Sequence, residues 1–306
     1  MLVLTAVALW SLNGVVAKVV VTGEGLSALR LAEVRASGAA LLLFTAVALV
    51  RPKSLRASRR EAGYLLLFGI FGLAFVHFFY FLAISRLDIG IALVIQYIAP
   101  VLIALWARFF VHEPVRRRLW VALALSLTGL SLVVELWGGG GALNVTGVGA
   151  ALGGAVAYAL YILMADHSLR GGRDVSSLLA WGFLFAALFW AVAQPWWTFP
   201  LNSVTGQTSL LGRLAEVELP VWLPVGYIVI FGTIVPFILM VSALRYISPT
   251  RATIVAMTEP VMAGLAAWIW LGEELSAGQI MGGILVLAGI VLAQTARTGE
   301  RTGVRT

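Results

Sequence analysis

Of 306 residues, 61% are AVILMFWYC and only 11% carry charge, whereas globular domains hold roughly 45–50% apolar and 25% charged residues. That excess cannot be buried in one soluble core; at roughly 20 apolar residues per bilayer span, the chain has room for about ten spans and for no catalytic domain outside the membrane. The net charge of +7 is then a matter of loop asymmetry rather than nucleic acid, and zero Cys with three scattered His excludes disulfides, cysteine nucleophiles and a metal box, leaving neither cofactor nor metal implied.

Apolar runs interrupted by Gly, Pro and charge predict ten helices, over 2–21, 28–50, 62–85, 89–110, 119–136, 147–166, 176–198, 221–243, 252–271 and 277–295. The first begins almost at Met1, lacks a basic n-region and is too long for a signal-peptide core, so it reads as a span; a native leader trimmed from its front is the alternative expectation. Connections are short except for the basic 51–60, the glycine run Gly138 to Gly141 and an external loop over 199–219. The expected class is an all-α integral membrane protein, with a polar basic tail over 296–306.

With the amino terminus placed in the cytoplasm, only Arg86 and Arg213 fall outside, and Lys18, Arg30 and Arg35 fall within helices. The rest of the 21 Lys and Arg lie at the inner face. This positive-inside bias predicts that both termini are cytoplasmic.

A shift of 160 residues aligns 83–133 with 243–293 without a gap. Ala83, Pro100, Val101, Glu113 and Gly129 meet the same residue types at Ala243, Pro260, Val261, Glu273 and Gly289. Five helices per half is an odd number, so the second half must enter the membrane inverted. The charges agree: Glu113 is followed by Arg116, Arg117 and Arg118, while Glu273 is followed by Glu274 and no base. The predicted organisation is a first repeat over 1–136, a linker over 137–146 and a second, inverted repeat over 147–295. Gly149/Gly153 and Gly278/Gly282 have the spacing of close helix contacts. A monomer is expected, since the inverted repeat supplies its own partner.

Phe79-Tyr80-Phe81-Leu82-Ala83 leading to Pro100-Val101 and Glu113, and Ala243-Leu244-Arg245 leading through Thr258-Glu259-Pro260-Val261 to Leu271-Gly272-Glu273, Gly282 and Gly289, resemble the EamA-type repeat of the drug/metabolite transporter superfamily. The resemblance covers essentially the whole chain, twice. It implies a ten-helix inner-membrane transporter with a central cavity between two halves and alternating access. Glu259-Pro260-Val261 and the aromatic-rich first, third and sixth helices are most similar to the amino-acid exporters, including the YddG-type aromatic amino-acid exporters. Pro114 and the three arginines after it depart from the plainer Gly-Glu turn of that repeat.

Polar groups in hydrocarbon cost several kcal/mol unless paired or facing water, so those inside spans are the candidate transport residues. Trp10 and Asn13 lie one turn apart on the first helix, and a shift of 148 places them on Tyr158 and Tyr161 of the sixth, a cavity wall able to stack and to hydrogen-bond. His77 and Tyr80 share a face of the third helix, where packing and a proton-carrying role are both open for His77. Gln96 and Tyr97 precede Pro100, and Thr258 and Glu259 precede Pro260. Each proline removes an amide hydrogen and frees the carbonyl four residues earlier, at Gln96 and Ala256, giving either an ammonium or water acceptor or a simple packing kink. Glu259 suits proton coupling or a substrate ammonium; an ion pair with Arg35 or Lys18 is the competing reading. Arg35 reads chiefly as structural although it could meet a substrate carboxylate, Arg30 and Glu33 satisfy each other, and Lys18 snorkels.

These residues point to export of small amphipathic metabolites, foremost aromatic or apolar amino acids, with protons as a candidate coupling ion. Efflux of hydrophobic cations is the rival. An enzyme is not expected: Asp88, Asp166 and Asp174 sit at helix ends, and neither a nucleophile with its base nor a metal motif occurs.

Overall fold

The computed structural model describes residues 1–22, 26–87, 89–112, 115–136 and 144–295. Asp88, Glu113, Pro114, the glycine run and the tail lie outside the described residues. Helices α1 (Leu2–Thr22), α2 (Ala28–Val50), α3 (Arg59–Ile84), α4 (Ile89–Gln96 and Ala99–Phe109), α5 (Arg117–Val133), α6 (Val145–Arg170), α7 (Val175–Ala193), α8 (Trp222–Ala243), α9 (Pro249–Ala256 and Glu259–Leu271) and α10 (Ala277–Thr295) make up nearly all of it. Among the described residues, nine helices are long and apolar enough to cross a membrane; α5, with 17 residues, is not one of them.

Several helices start earlier than predicted for local reasons. The third helix starts at Arg59, not 62, because Ser58 and Glu61 form a reciprocal capping box with the first-turn amides. Asn144 accepts from the Gly147 amide and starts α6 early, and the Asp174 carboxylate accepts from the Ser176 and Ser177 amides at the start of α7. Pro249, in the first turn after Ser248, sets the start of α9 three residues before the predicted 252.

Four interruptions are absent from the predicted helices. The α4 and α9 spans, expected as continuous over 89–110 and 252–271, are each broken, at Tyr97–Ile98 and Met257–Thr258. Around each break the amides bond three residues back, Ile98 to Ile95 (3.1 Å) and Met257 to Ile254 (3.1 Å), before the proline-bearing turn begins a new helix. In addition, α3 carries a π-helical stretch over Phe68–Ala74 and α8 one over Ile230–Ile234.

The 199–219 loop is also more than a loop. Strands β1 (Gln207–Ser209) and β2 (Glu218–Pro220) pair antiparallel, so the chain is not purely α. The Thr208 hydroxyl donates to the Val19 carbonyl (3.3 Å) and Trp270 Nε1 to that of Leu210 (2.8 Å), seating the hairpin on the ends of α1 and α9. Beside it Lys18 reaches the surface and pairs with Glu273 at 2.7 Å. At the opposite end, Arg51–Asp174 (3.5 Å) and Arg173–Glu61 (3.4 Å) link α2, α3 and α7.

Glycines set the close approach of α5 and α10. Where α5 packs along α10, a Cβ at Gly129 would lie 2.6 Å from the Gly282 carbonyl oxygen, and one at Gly289 would lie 2.4 Å from Ser126 Oγ and 2.8 Å from the Ala122 carbonyl oxygen. Gly282 thus serves a helix contact within the chain, as its spacing suggested, whereas a Cβ at Gly149 would meet nothing within 4 Å. Gly72 of the first π-stretch lies against Tyr161 of α6, and Gly232 of the second against Asn13 of α1.

Because the Gly129 contact is backbone on backbone, Gly129→Val should destabilise the detergent-solubilised protein by about 1–3 kcal/mol. Gly149→Ala, on open surface, should leave the thermal midpoint unchanged or slightly raised. Equal midpoints for the two variants would show that the α5–α10 contact is loose.

Candidate functional site

Two walls face each other at the middle of the bundle. Helix α1 packs against α8 and α9, and α6 packs against α3 and α4. Between them lies a cavity of about 240 Å³, lined by Trp10, Asn13, His77, Tyr80, Gln96, Tyr97, Tyr158, Tyr161 and Glu259, and also by Arg35, Gly72, Val76, Phe81, Leu93 and Phe237.

Of the ten substrate contacts expected from the sequence, Thr258 alone stays out of this lining, and the kink residues Pro100 and Pro260 are not part of it. Thr258 is 2% exposed, and its hydroxyl donates to the Val255 carbonyl at 2.6 Å. At the break the hydroxyl is used up on the carbonyl three residues back, the ordinary local fate of threonine in a turn.

The breaks in α4 and α9 position the central contact. Glu259 opens the second segment of α9, where the unpaired amides of a helix start favour negative charge. Its carbonyl accepts from the Ser11 hydroxyl of α1 (2.9 Å), and its Oε2 accepts from the hydroxyl of Tyr97 (2.9 Å), which sits at the break of α4. That hydrogen bond joins the two walls across the cavity. Tyr161 and Phe237 also meet across it, ring centroids 5.4 Å apart, while Trp10 meets Phe237 edge-on at 5.3 Å within one wall.

The ion pair considered for Glu259 is not formed. Lys18 is engaged by Glu273, and the Arg35 guanidinium donates from Nε to Thr233 Oγ1 (3.0 Å) and from a terminal nitrogen to the Gly232 carbonyl (3.2 Å). Arg30 and Glu33 do pair, at 2.7 Å, and Arg30 also reaches Thr198, tying α2 to the segment after α7. His77 Nδ1 lies 3.2 Å from the Leu73 carbonyl, which can only accept, so in neutral imidazole Nδ1 holds the proton and Nε2 is an acceptor. Asn13 Oδ1 and the Tyr161 hydroxyl are buried polar atoms with no hydrogen-bond partner in the protein.

Phe237 and Gly72 were missed from the sequence, yet a signal existed. The 160-residue shift, continued upstream of 83, sets Phe237 on His77 and Gly232 on Gly72, so the repeat carried both. Among the described residues no group of three His, Asp or Glu is placed to hold a metal ion.

A multi-pass helical bundle around a chamber with charged and aromatic walls has the build of a membrane transporter. The model of the EamA-like transporter family matches residues 1–135 and 145–295, and the chain belongs to that family, within the drug/metabolite transporter superfamily; it is a transporter and not an enzyme. It is 29% identical over 282 residues to the threonine/homoserine exporter RhtA of Salmonella typhimurium, covering 91% of this chain and 82% of that one. The RhtA of Escherichia coli K12 is 28% identical over 280 residues, with the same two coverages of 91% and 82%. An uncharacterized transporter of Archaeoglobus fulgidus is 26% identical over 234 residues, covering 73% of this chain and 75% of its own. A solved structure superposes with a TM-score of 0.78 over 95% of this chain and 94% of that chain at 19% identity, a likeness of fold.

Tyr97→Phe should strip Glu259 Oε2 of its donor and cost about 1–3 kcal/mol in thermal unfolding, the penalty of an unsatisfied buried group. The same change made on Glu259→Gln should cost measurably less, and a double-mutant cycle with no coupling would show that the hydrogen bond contributes nothing.

Proposed function

We propose that this protein exports small amphipathic metabolites, foremost α-amino acids with apolar, aromatic or short hydroxylated side chains, by alternating access through the cavity between α1/α8/α9 and α3/α4/α6. The observation that carries the reading is a chamber that places the Glu259 carboxylate and the Arg35 guanidinium among aromatic rings, at a volume of about 240 Å³. Drug-sized ligands occupy sites of roughly 300–1,000 Å³, so size and the cationic wall residue favour an amino acid over a hydrophobic cation. The relatives named as threonine/homoserine exporters support the same class.

In this reading α5 is a tenth span, its 17 residues at the short end of what crosses a bilayer. The two halves, 1–136 and 147–295, are inverted five-helix repeats joined by the linker 137–146, with both termini on the cytoplasmic side of the inner membrane. Supporting this are the α4 and α9 breaks and the Gly72 and Gly232 contacts, which fall at positions related by the 160-residue shift. The protein works as a monomer. Rocking of one wall against the other breaks and remakes the Tyr97–Glu259 bond, which serves as the latch. The substrate ammonium competes with Tyr97 for Glu259, and Asn13 Oδ1 and the Tyr161 hydroxyl, left without protein partners, take hydrogen bonds from substrate or water. Protonation of Glu259 when the substrate leaves would couple export to a proton gradient.

Counterflow in proteoliposomes with labelled threonine and phenylalanine should exceed that of empty vesicles, and Glu259→Gln should abolish both the flux and its response to a pH gradient. Ethidium-type dyes should be moved poorly. Dye transport without amino-acid flux would favour the cation reading, and an undiminished Glu259→Gln flux would remove Glu259 from the mechanism. The chain has zero Cys, so single cysteines report topology directly: Lys53→Cys should be labelled only from the cytoplasm and Trp197→Cys only from outside.

A further inference from the structure

We propose that Arg35 is the carboxylate receptor of the cavity, so that the transported species is a zwitterion held between Arg35 and Glu259, and amines that lack a carboxylate are rejected. This rests on the amino-acid export reading and specifies how the site recognises its substrate.

Arg35 projects from α2 into the cavity wall, and only one edge of its guanidinium is engaged. Nε and one terminal nitrogen donate to Thr233 Oγ1 and the Gly232 carbonyl, both in the π-helical stretch of α8. The Thr233 hydroxyl gives its own hydrogen to the Ile228 carbonyl at 2.9 Å, which leaves it an acceptor toward Arg35 and fixes the direction of the chain of bonds. A guanidinium carries five N–H donors in a planar fork, so three are left over. No carboxylate of the described residues lies within 4 Å of it, although Glu259 lines the same cavity.

Arg30 on the same helix shows what a purely structural arginine looks like in this protein. It has its own carboxylate at 2.7 Å and four further oxygen acceptors around residues 194–198. Arg35 has neutral partners only. An intramembrane cation without a counter-ion is costly unless something else supplies the negative charge. A fork pinned along one edge presents its remaining donors in the geometry that a carboxylate accepts in pairs.

Glu259 spends Oε2 on Tyr97 and does not close on Arg35, so the cavity holds two opposite charges that do not neutralise each other directly. An α-amino acid bridges such a pair with its own two ends, leaving its side chain to the aromatic wall. A site whose buried polar groups are left unpaired by an analogue discriminates strongly against that analogue.

The test is competition against labelled phenylalanine and threonine counterflow in proteoliposomes, using the decarboxylated analogues phenethylamine and 1-aminopropan-2-ol. In the wild type each amine should compete at least about tenfold more weakly than its parent amino acid, the yield of one lost charge-assisted hydrogen bond or more. Arg35→Gln should weaken the amino acid by a similar factor and leave the amine unchanged, collapsing the ratio toward one. Arg35→Lys should restore part of it. A merely structural Arg35 would lower flux for both and preserve the ratio, so a preserved ratio, or amines that compete as well as amino acids in the wild type, overturns the assignment. A wild type that moves neither amino acid overturns the export reading itself and this assignment with it.

Discussion

A chain in hydrocarbon must satisfy its backbone amides and carbonyls by itself, and this molecule breaks two of its helices in mid-course. The breaks at Tyr97–Ile98 and Met257–Thr258 are each tightened by bonds three residues back, and the one in α9 is also supported from α1. Ser11 of α1 supplies the Glu259 carbonyl with a donor, and the Thr258 hydroxyl covers the Val255 carbonyl. Once those groups are satisfied, the interruption becomes useful. It turns the start of the second α9 segment toward the cavity and puts a carboxylate there, opposite the tyrosine in the break of α4. An unbroken α9 would place Glu259 inside a helix, with none of the free first-turn amides that favour its charge.

The second constraint is how closely the helices approach. Apolar side chains gain little from leaving lipid for protein, so association rests on close backbone approach and hydrogen bonds. Glycine supplies the approach at Gly129, Gly282 and Gly289 between α5 and α10, and at Gly69 and Gly182 between α3 and α7, where an added Cβ at Gly69 would lie 2.6 Å from the Gly182 carbonyl oxygen. Two other glycines of the π-helical stretches do something different. Gly72 and Gly232 bring α3 and α8 against Tyr161 and Asn13, the side chains of α6 and α1 that form opposite cavity walls. Packing and site therefore share these two positions, and a side chain at either would push a wall residue inward.

Span positions were legible because hydrophobic length depends on composition alone, and Pro100 and Pro260 marked where α4 and α9 would yield. Most of the cavity lining was legible for a related reason: a polar residue deep in a span has few places to go. What escaped depended on rotational phase or local bonding. Nothing in the spacing of Arg35 says that it reaches Thr233 of a helix almost 200 positions away, so its place in the wall had to wait for the fold. The π-stretches leave no mark in apolar periodicity, and the 207–220 hairpin is too short and mixed to read as strands. Thr258 was misplaced because adjacency to Glu259 suggested a shared direction, whereas the break rotates one toward Tyr97 and the other back onto Val255. The Ser58/Glu61 capping box was readable and simply lay three residues before the apolar run that defined the helix.

The arrangement of charge also bears on the proposed rocking of the two walls. Each wall offers the cavity a polar partner that it could satisfy more fully by closing: the Tyr97 hydroxyl already bonds Glu259, while Arg35 keeps donors in reserve. Direct pairing of Arg35 with Glu259 would pull α2 and α9 together and fill the space a ligand needs. Thr233 and the Gly232 carbonyl prevent this by holding the guanidinium on the π-stretch of α8, and Tyr97 prevents it from the other side by occupying Glu259. The opposite charges are thus kept apart by hydrogen bonds to neutral partners, each weaker than the ion pair it forestalls. Contacts of that strength can be exchanged for substrate contacts without a large barrier, which is the condition that the proposed alternating access would place on the residues at its centre.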